Sequence, residues 1–142
     1  MNISAKTEYA CIAMLELAAR YESGKPVRIR DIADNNGIPA RFLVQILLQL
    51  KSAGIVGSTR GAAGGYQLVR PPDEITLAEV MAVSDGQASQ PVSSVERETP
   101  ASRTLLDAWQ KVATVQAEML ESITLADLVE RTAGQTENMY YI

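Results

Sequence analysis

The stretch IRDIADNNGIPARFLVQILLQLKSAG, residues 29–54, decides the fold. A short helix is predicted over Ile29 to Asn35, centred on Asp31-Ile32-Ala33, although Arg28 or Ile29 stands where Ser or Thr would make a better cap. Asn35-Asn36-Gly37 then supplies residues that tolerate a left-handed backbone, and Ile38-Pro39 restarts a helix with proline in its first turn, where a missing N–H costs nothing. Two helices joined by so tight a turn define a helix-turn-helix. Over Pro39 to Ala53, Leu43, Ile46, Leu47 and Leu50 fall at i, i+3, i+4 and i+7 and predict one buried stripe, with Gly54 as the stop. The opposite face presents Arg41, Phe42, Val44, Gln45, Leu48 and Gln49 and is the candidate recognition surface.

Downstream, Ile55-Val56 and Tyr66-Gln67-Leu68-Val69 read as two short strands joined by a glycine-rich linker, residues 57–65. A β-hairpin directly after a recognition-type helix is a wing, and Arg60 at its edge is positioned for phosphate or a narrow minor groove. Upstream, Ser4 caps a predicted first helix whose apolar positions are Tyr9, Ile12, Leu15, Ala18 and Ala19, closed by Gly24 and Pro26.

Beyond Pro71-Pro72, Thr76 followed by Glu79 reads as a capping box opening a short helix through Val83, closed by Asp85-Gly86. Gln87 to Ala101 is polar and reads as an exposed loop or partly disordered linker. From Ser102 to about Ser122, Leu105, Trp109, Val112, Gln116, Met119 and Ile123 alternate spacings of four and three, a heptad seam with one polar member. Leu106, Ala113 and Leu120 widen that face, which predicts a contact with a second copy; packing of the helix on its own domain is the alternative. The heptad position of Trp109 assigns it to core packing ahead of a ligand pocket. Thr124 with Asp127 caps a last short helix, and Ile75-Thr76-Leu77-Ala78-Glu79 echoes Ile123-Thr124-Leu125-Ala126-Asp127, read as repeated capping chemistry.

The expected division is therefore residues 1–72 as a winged helix-turn-helix, 73–101 as a short helix and polar loop, and 102–142 as a dimerisation helix with a short C-terminal helix. The fold class is mainly α with one small β-hairpin. The net charge of −4 hides an asymmetry along this division. Residues 1–72 hold nine Lys/Arg against five Asp/Glu, a net of +4, while the remainder holds four against twelve, a net of −8. Because phosphate attraction is local and screened within about 10 Å, a basic first part suits a polyanion whatever the total charge. With 46% hydrophobic and 21% charged residues the composition is that of a globular protein, and no apolar run approaches a membrane span. A single cysteine, Cys11, and the lack of a basic, apolar leader point to a reducing cytoplasm.

The chain resembles the winged-helix transcriptional regulators typified by IscR, NsrR and CymR, the Rrf-two family. The matching pieces are Tyr9-Ala10 to Met14-Leu15, Asp31-Ile32-Ala33, the Gly37-Ile38-Pro39 to Leu43 to Gln45-Ile46-Leu47 to Leu50 series, and Arg60-Gly61 with Gly64-Gly65-Tyr66 to Leu68. The resemblance covers most of the chain, and the wing motif is its most specific part. It implies a dimer held by a long C-terminal helix, with Arg28, Ala40, Arg41, Phe42, Val44, Gln45, Gln49, Lys51, Ser58, Arg60, Gly61, Gly64, Gly65 and Tyr66 as the DNA-binding set. Many members hold an iron–sulfur cluster on three cysteines in the loop before the dimer helix. Here that loop, Asp85 to Ser102, has no cysteine and the chain has no histidine, so neither a cluster nor another metal or cofactor is expected. Cys11 is expected to be a small buried hydrophobe. The cluster regulators commonly carry an acidic residue where Val44 stands, so their base preference does not transfer.

The reading favoured is a sequence-specific DNA-binding regulator, a repressor, acting as a homodimer without a cluster. Arg41 and Gln45 would address guanine or adenine and Val44 a thymine methyl, while Lys51 and Arg60 neutralise phosphate. Phe42 is divided between DNA contact and packing against the turn. A protein-interaction module on the same fold, using Val44 and Leu48 or the acidic C-terminal part, is the alternative. No catalytic constellation is legible, which disfavours an enzyme. The controlling signal is read as an unidentified small molecule or protein, or none.

Overall fold

The computed structural model describes residues 1–86 and 90–140, with side chains through Gln135; residues 87–89 of the expected polar loop lie outside the described residues. Six helices and one hairpin follow in the order α1 (Ala5–Ala19), α2 (Ile29–Asn36), α3 (Ala40–Ser52), β1 (Val56–Thr59), β2 (Gly65–Leu68), α4 (Leu77–Asp85), α5 (Pro100–Ser122) and α6 (Leu125–Tyr140). This is the mainly helical winged helix-turn-helix with a long C-terminal helix that the sequence predicts.

Helix α1 begins where expected, with the Ser4 hydroxyl accepting from the Thr7 N–H at 3.1 Å. It ends at Ala19, before a single 3-10 turn, Tyr21–Ser23, that closes on Gly24 at φ 67°. Its buried face differs from the expected one: Thr7, Ala10, Ala13, Met14, Leu17 and Ala18 are buried, Tyr9, Ile12 and Leu15 only pack against the margin of the core, and Ala19 is exposed. Small residues line the centre of the helix because α3, α4 and α6 all pack against it, and close approach of several backbones leaves room for Ala but not for Tyr or Ile. Around this helix the core gathers Ile32, Leu43, Leu47, Leu50, Ile55, Ile75, Val80 and Leu125.

Three further helices depart from the expectation, in capping, start or length. Thr76 accepts from the Glu79 N–H at 3.2 Å, but the Glu79 carboxylate turns away to the Arg70 guanidinium at 2.6 Å, so only half of the capping box forms. Helix α4 also runs two residues past Val83, to Asp85. Helix α5 starts at Pro100 instead of Ser102. Thr99 and Ser102 exchange side-chain to backbone hydrogen bonds at 3.1 and 2.9 Å, and the proline sits where its missing N–H is harmless. Helix α6 is not short: it runs for 16 residues through Gly134, tied to the core by fully buried Leu125.

The echo between residues 75–79 and 123–127 has a role beyond capping. The two segments pair antiparallel at Thr76 and Thr124, with Leu77 N–H donating to the Ile123 carbonyl at 2.8 Å and Leu125 N–H to the Ile75 carbonyl at 2.9 Å. The starts of α4 and α6 are thus bonded to each other, and the chain between them, including α5, returns on itself. A second tie joins the start of α1 to the end of α4, where Asp85 accepts from Ser4 at 3.0 Å and from Thr7, whose hydroxyl is also 3.0 Å from Ser84. Thr7 is the one buried polar residue of the described core, and these bonds satisfy its hydroxyl.

Cys11 is half-buried on α1. Its pKa is pushed up to about 11, first by burial and then by the Asp85 carboxylate. The thiol should therefore alkylate about a hundred-fold more slowly at pH 8 than a free cysteine, since only the thiolate attacks. Mass-spectrometric timing of iodoacetamide labelling checks this; labelling at the rate of a free thiol would contradict it.

Candidate nucleic-acid interface

The helix-turn-helix is built as the sequence dictates. Leu43, Ile46, Leu47 and Leu50 are all buried, and Gly37 makes the turn at φ 66°. Pro39 is the N-cap of α3 and not its first helical residue. Neither α2 nor α3 has a side-chain hydrogen bond at its N-cap, whereas Ser4, Thr76, Thr99 and Thr124 cap the other four helices. With the apolar stripe fixed inward, Arg41, Val44, Gln45 and Leu48 form the complementary outward stripe at the same i, i+3, i+4, i+7 spacing, and all four are exposed.

Phe42 lies at the edge of that stripe, and the packing expected of it is present in part. It is 44% exposed, its ring packs on Tyr9 of α1 with centroids 5.8 Å apart, and the Arg41 guanidinium carbon lies over the Phe42 ring, 5.0 Å from its centroid. Tyr9 was not among the expected site residues, and no local pattern signals it, because the contact joins residues far apart in sequence. Gln49 is half-buried with its side-chain oxygen turned inward and without a hydrogen-bond partner, so of the polar residues of α3 it presents the least to the outside. A groove of about 570 Å³ runs beside it, between α3 and Val83 of α4.

The hairpin pairs Val56 with Leu68, Gly57 with Gln67, Ser58 with Tyr66 and Thr59 with Gly65. The first strand is longer than the expected Ile55-Val56 because backbone pairing carries it through Gly57, Ser58 and Thr59, leaving only residues 60–64 for the tip. A further bridge was not foreseen: Val27 and Tyr66 exchange two hydrogen bonds of 2.8 Å, which anchors the wing to the segment leading into α2. Two glycines are obligatory here. A Cβ on Gly64 would lie 2.1 Å from the Thr59 carbonyl oxygen, and one on Gly65, at φ 149°, would lie 2.4 Å from that of Val27. Gly64 is buried and Gly65 and Tyr66 are half-buried, so these three shape the wing, while Ser58, Arg60 and Gly61 stand on its exposed surface. Lys51 Nζ donates to Ser58 Oγ at 2.7 Å and joins the end of α3 to the wing.

Of the nine basic residues in the first 72, only Arg20 and Arg70 have a carboxylate partner among the described residues, Glu16 and Glu79. Arg28, Arg41, Lys51 and Arg60 keep their charge unneutralised and are exposed. The expected interface of α5 separates into two rows. Leu105, Trp109, Val112 and Met119 are each more than half exposed, whereas Gln116 and Ile123 are half-buried with Leu106, Ala113 and Leu120 on the side turned to the chain itself. Trp109 is 57% exposed, so it does not pack into the core of this chain. Ile123 follows the helix as its C-cap.

Comparison with known proteins agrees with this architecture. The family model Rrf2, described as an iron-dependent transcriptional regulator, matches residues 3–131. The HTH-type transcriptional regulator CymR of Bacillus subtilis is 40% identical over the full length of both chains. The solved structure of that protein, the global cysteine regulator, superposes with a TM-score of 0.81 at 37% identity, covering 92% of this chain and 98% of that one. IscR of T. potens superposes with a TM-score of 0.76 at 32% identity, covering 93% and 88%. The relatives are transcriptional regulators and not enzymes, and the interaction-module alternative is not favoured by them. The iron in the family description does not fit the residues present: the chain has one cysteine, half-buried in α1, and no histidine, and among the described residues no three potential ligands converge. No helix among them is long and apolar enough to cross a membrane. With nine-tenths of its length matched and its fold shared with CymR and IscR, this chain belongs to the Rrf2 family of transcriptional regulators.

Proposed function

We propose that the protein is a cytoplasmic repressor that binds a specific DNA sequence as a homodimer and does so without an iron–sulfur cluster. The observation that carries this reading is the outward stripe of α3 beside unneutralised Arg28, Lys51 and Arg60, a surface that offers donors to base edges and charge to phosphates. In this reading residues 1–72 read the DNA: α3 enters the major groove, Arg41 and Gln45 address bases, and the wing rests on the flanking backbone. Ala40 and the uncapped N-terminus of α3 lie close to phosphate, where free N–H groups are useful. The rest of the chain joins two copies, through Leu105, Trp109, Val112 and Met119 with Gln116 and Ile123 at the margin. The signal, where there is one, is an unidentified small molecule or protein.

Selection of bound duplexes from a random pool tests this. An inverted repeat with half-sites one helical turn or a multiple apart is expected, because a two-fold dimer imposes its symmetry on the site. Enrichment of an unsymmetrical sequence, or none, would overturn the reading. On the selected duplex, Arg41→Ala and Gln45→Ala should each weaken binding roughly 5- to 100-fold and leave the dimer intact. Unchanged affinity and selectivity in both would remove α3 from the recognition role.

A further inference from the structure

The outward stripe of α3 is half apolar. Val44 is 48% and Leu48 51% exposed, one helical turn apart, with Arg41 and Gln45 on the same face. Among the described residues both aliphatic side chains stay about half exposed, Leu48 at the rim of the groove shared with Val83 of α4, and the other large apolar residues left in water on a helix are Phe42 beside them and five residues of α5. Valine and leucine carry no donor or acceptor, so they contribute nothing at phosphates or at the polar edges of bases. The major groove displays one apolar group, the C5-methyl of thymine. An acidic side chain at position 44 would accept from a cytosine amino group; valine at the same place has only apolar contact with which to discriminate.

From this we infer that Val44 and Leu48 read thymine methyl groups in the major groove. The inference rests on the DNA-binding reading above and names the base chemistry that its recognition surface takes. One helical turn separates the two side chains by about 5.4 Å along the axis, and base pairs stack about 3.4 Å apart, so the two methyls belong to base pairs one or two steps apart. Each half-site therefore contains a closely spaced pair of thymines, on the same or opposite strands, with the polar donors of Arg41 and Gln45 addressing the bases beside them.

The test uses the duplex that the protein itself selects from a random pool. Each thymine is replaced in turn by uracil, which removes the methyl and leaves the pairing and the groove polar groups unchanged. At one or two positions in each half-site the replacement should weaken binding about three- to five-fold, the value of one buried methyl. In Val44→Ala or Leu48→Ala protein the penalty at the facing thymine should vanish while those elsewhere persist. Both side chains lie outside the core, so the variants retain the fold, and the uracil series on the parent protein is informative without them. A selected site without thymine, a site indifferent to uracil, or a penalty that survives in both variants would overturn the inference and leave DNA binding standing. Failure of any duplex to be enriched would remove the DNA-binding reading and the inference with it.

Discussion

Protein carrying Trp109→Glu together with Met119→Glu should sediment as a monomer where the parent is expected to sediment as a dimer, and its affinity for a symmetric DNA site should fall at least a hundred-fold. Leu105, Trp109, Val112, Val115 and Met119 form an apolar strip on α5 that its own chain leaves uncovered, each more than half exposed. The helix is 23 residues long, about 35 Å, which is enough for a continuous interface with a second copy. Truncating an anchoring aromatic residue in an interface costs about 2–4 kcal/mol, and introducing a carboxylate adds the desolvation of an unpaired charge, doubled by the symmetry of the dimer. Since both residues are exposed in the single chain, the monomer should keep its helical content and melt cooperatively. A double variant that remains fully dimeric would end the case for α5 as the interface.

The second large effect is expected at the wing. In Gly65→Ala the new methyl would lie 2.4 Å from the Val27 carbonyl oxygen at a backbone φ of 149°, so the bridge between Val27 and Tyr66 must open. Backbone strain and two lost hydrogen bonds amount to about 2–4 kcal/mol, which lowers Tm by roughly 5–12 °C. DNA affinity falls as well, because Arg60 is carried on a hairpin that has lost its anchor. Gly134→Ala is the contrasting substitution: the site lies within α6, nothing stands within 4 Å of the added Cβ, and φ is ordinary, so alanine should stabilise the helix by about 0.5–1 kcal/mol. Differential scanning calorimetry of the two variants checks the pair, and a Gly65→Ala protein that melts like the parent would show that the Gly64-Gly65 pair is not structurally required.

The recognition helix was legible because burial there obeys a single helical period: Leu43, Ile46, Leu47 and Leu50 face inward without exception, which fixes Arg41, Val44, Gln45 and Leu48 outward. The wing was legible from its glycines, although only the demand on Gly64 is local, against Thr59, while that on Gly65 comes from Val27. Helix α1 misled, since its buried face mixes Thr7, Ala10 and Ala13 with Met14 and Leu17 where three helices converge, and hydrophobicity alone also favours Tyr9, Ile12 and Leu15, which lie at the margin. Pro100 read as loop because a proline ends helices more visibly than it begins them, and only the Thr99–Ser102 exchange resolves its position. The pairing of Val27 with Tyr66 left no trace, being a single bridge between distant segments, and that of Thr76 with Thr124 showed only as the echo between their segments, which capping alone explained. The Tyr9–Phe42 packing beneath Arg41 is equally non-local.

Selective DNA binding without a cluster is the property to measure first. Chelator-treated protein should be titrated into a fluorescently labelled selected duplex by polarisation, across a salt series, with random duplex as competitor. The expected result is selective binding that the chelator does not weaken and whose log affinity falls with log salt at a slope steeper than about −4, since Arg28, Arg41, Lys51 and Arg60 of each copy are free to displace counterions. Absence of selective binding at low salt, or affinity that appears only after iron and sulfide are supplied, would contradict it.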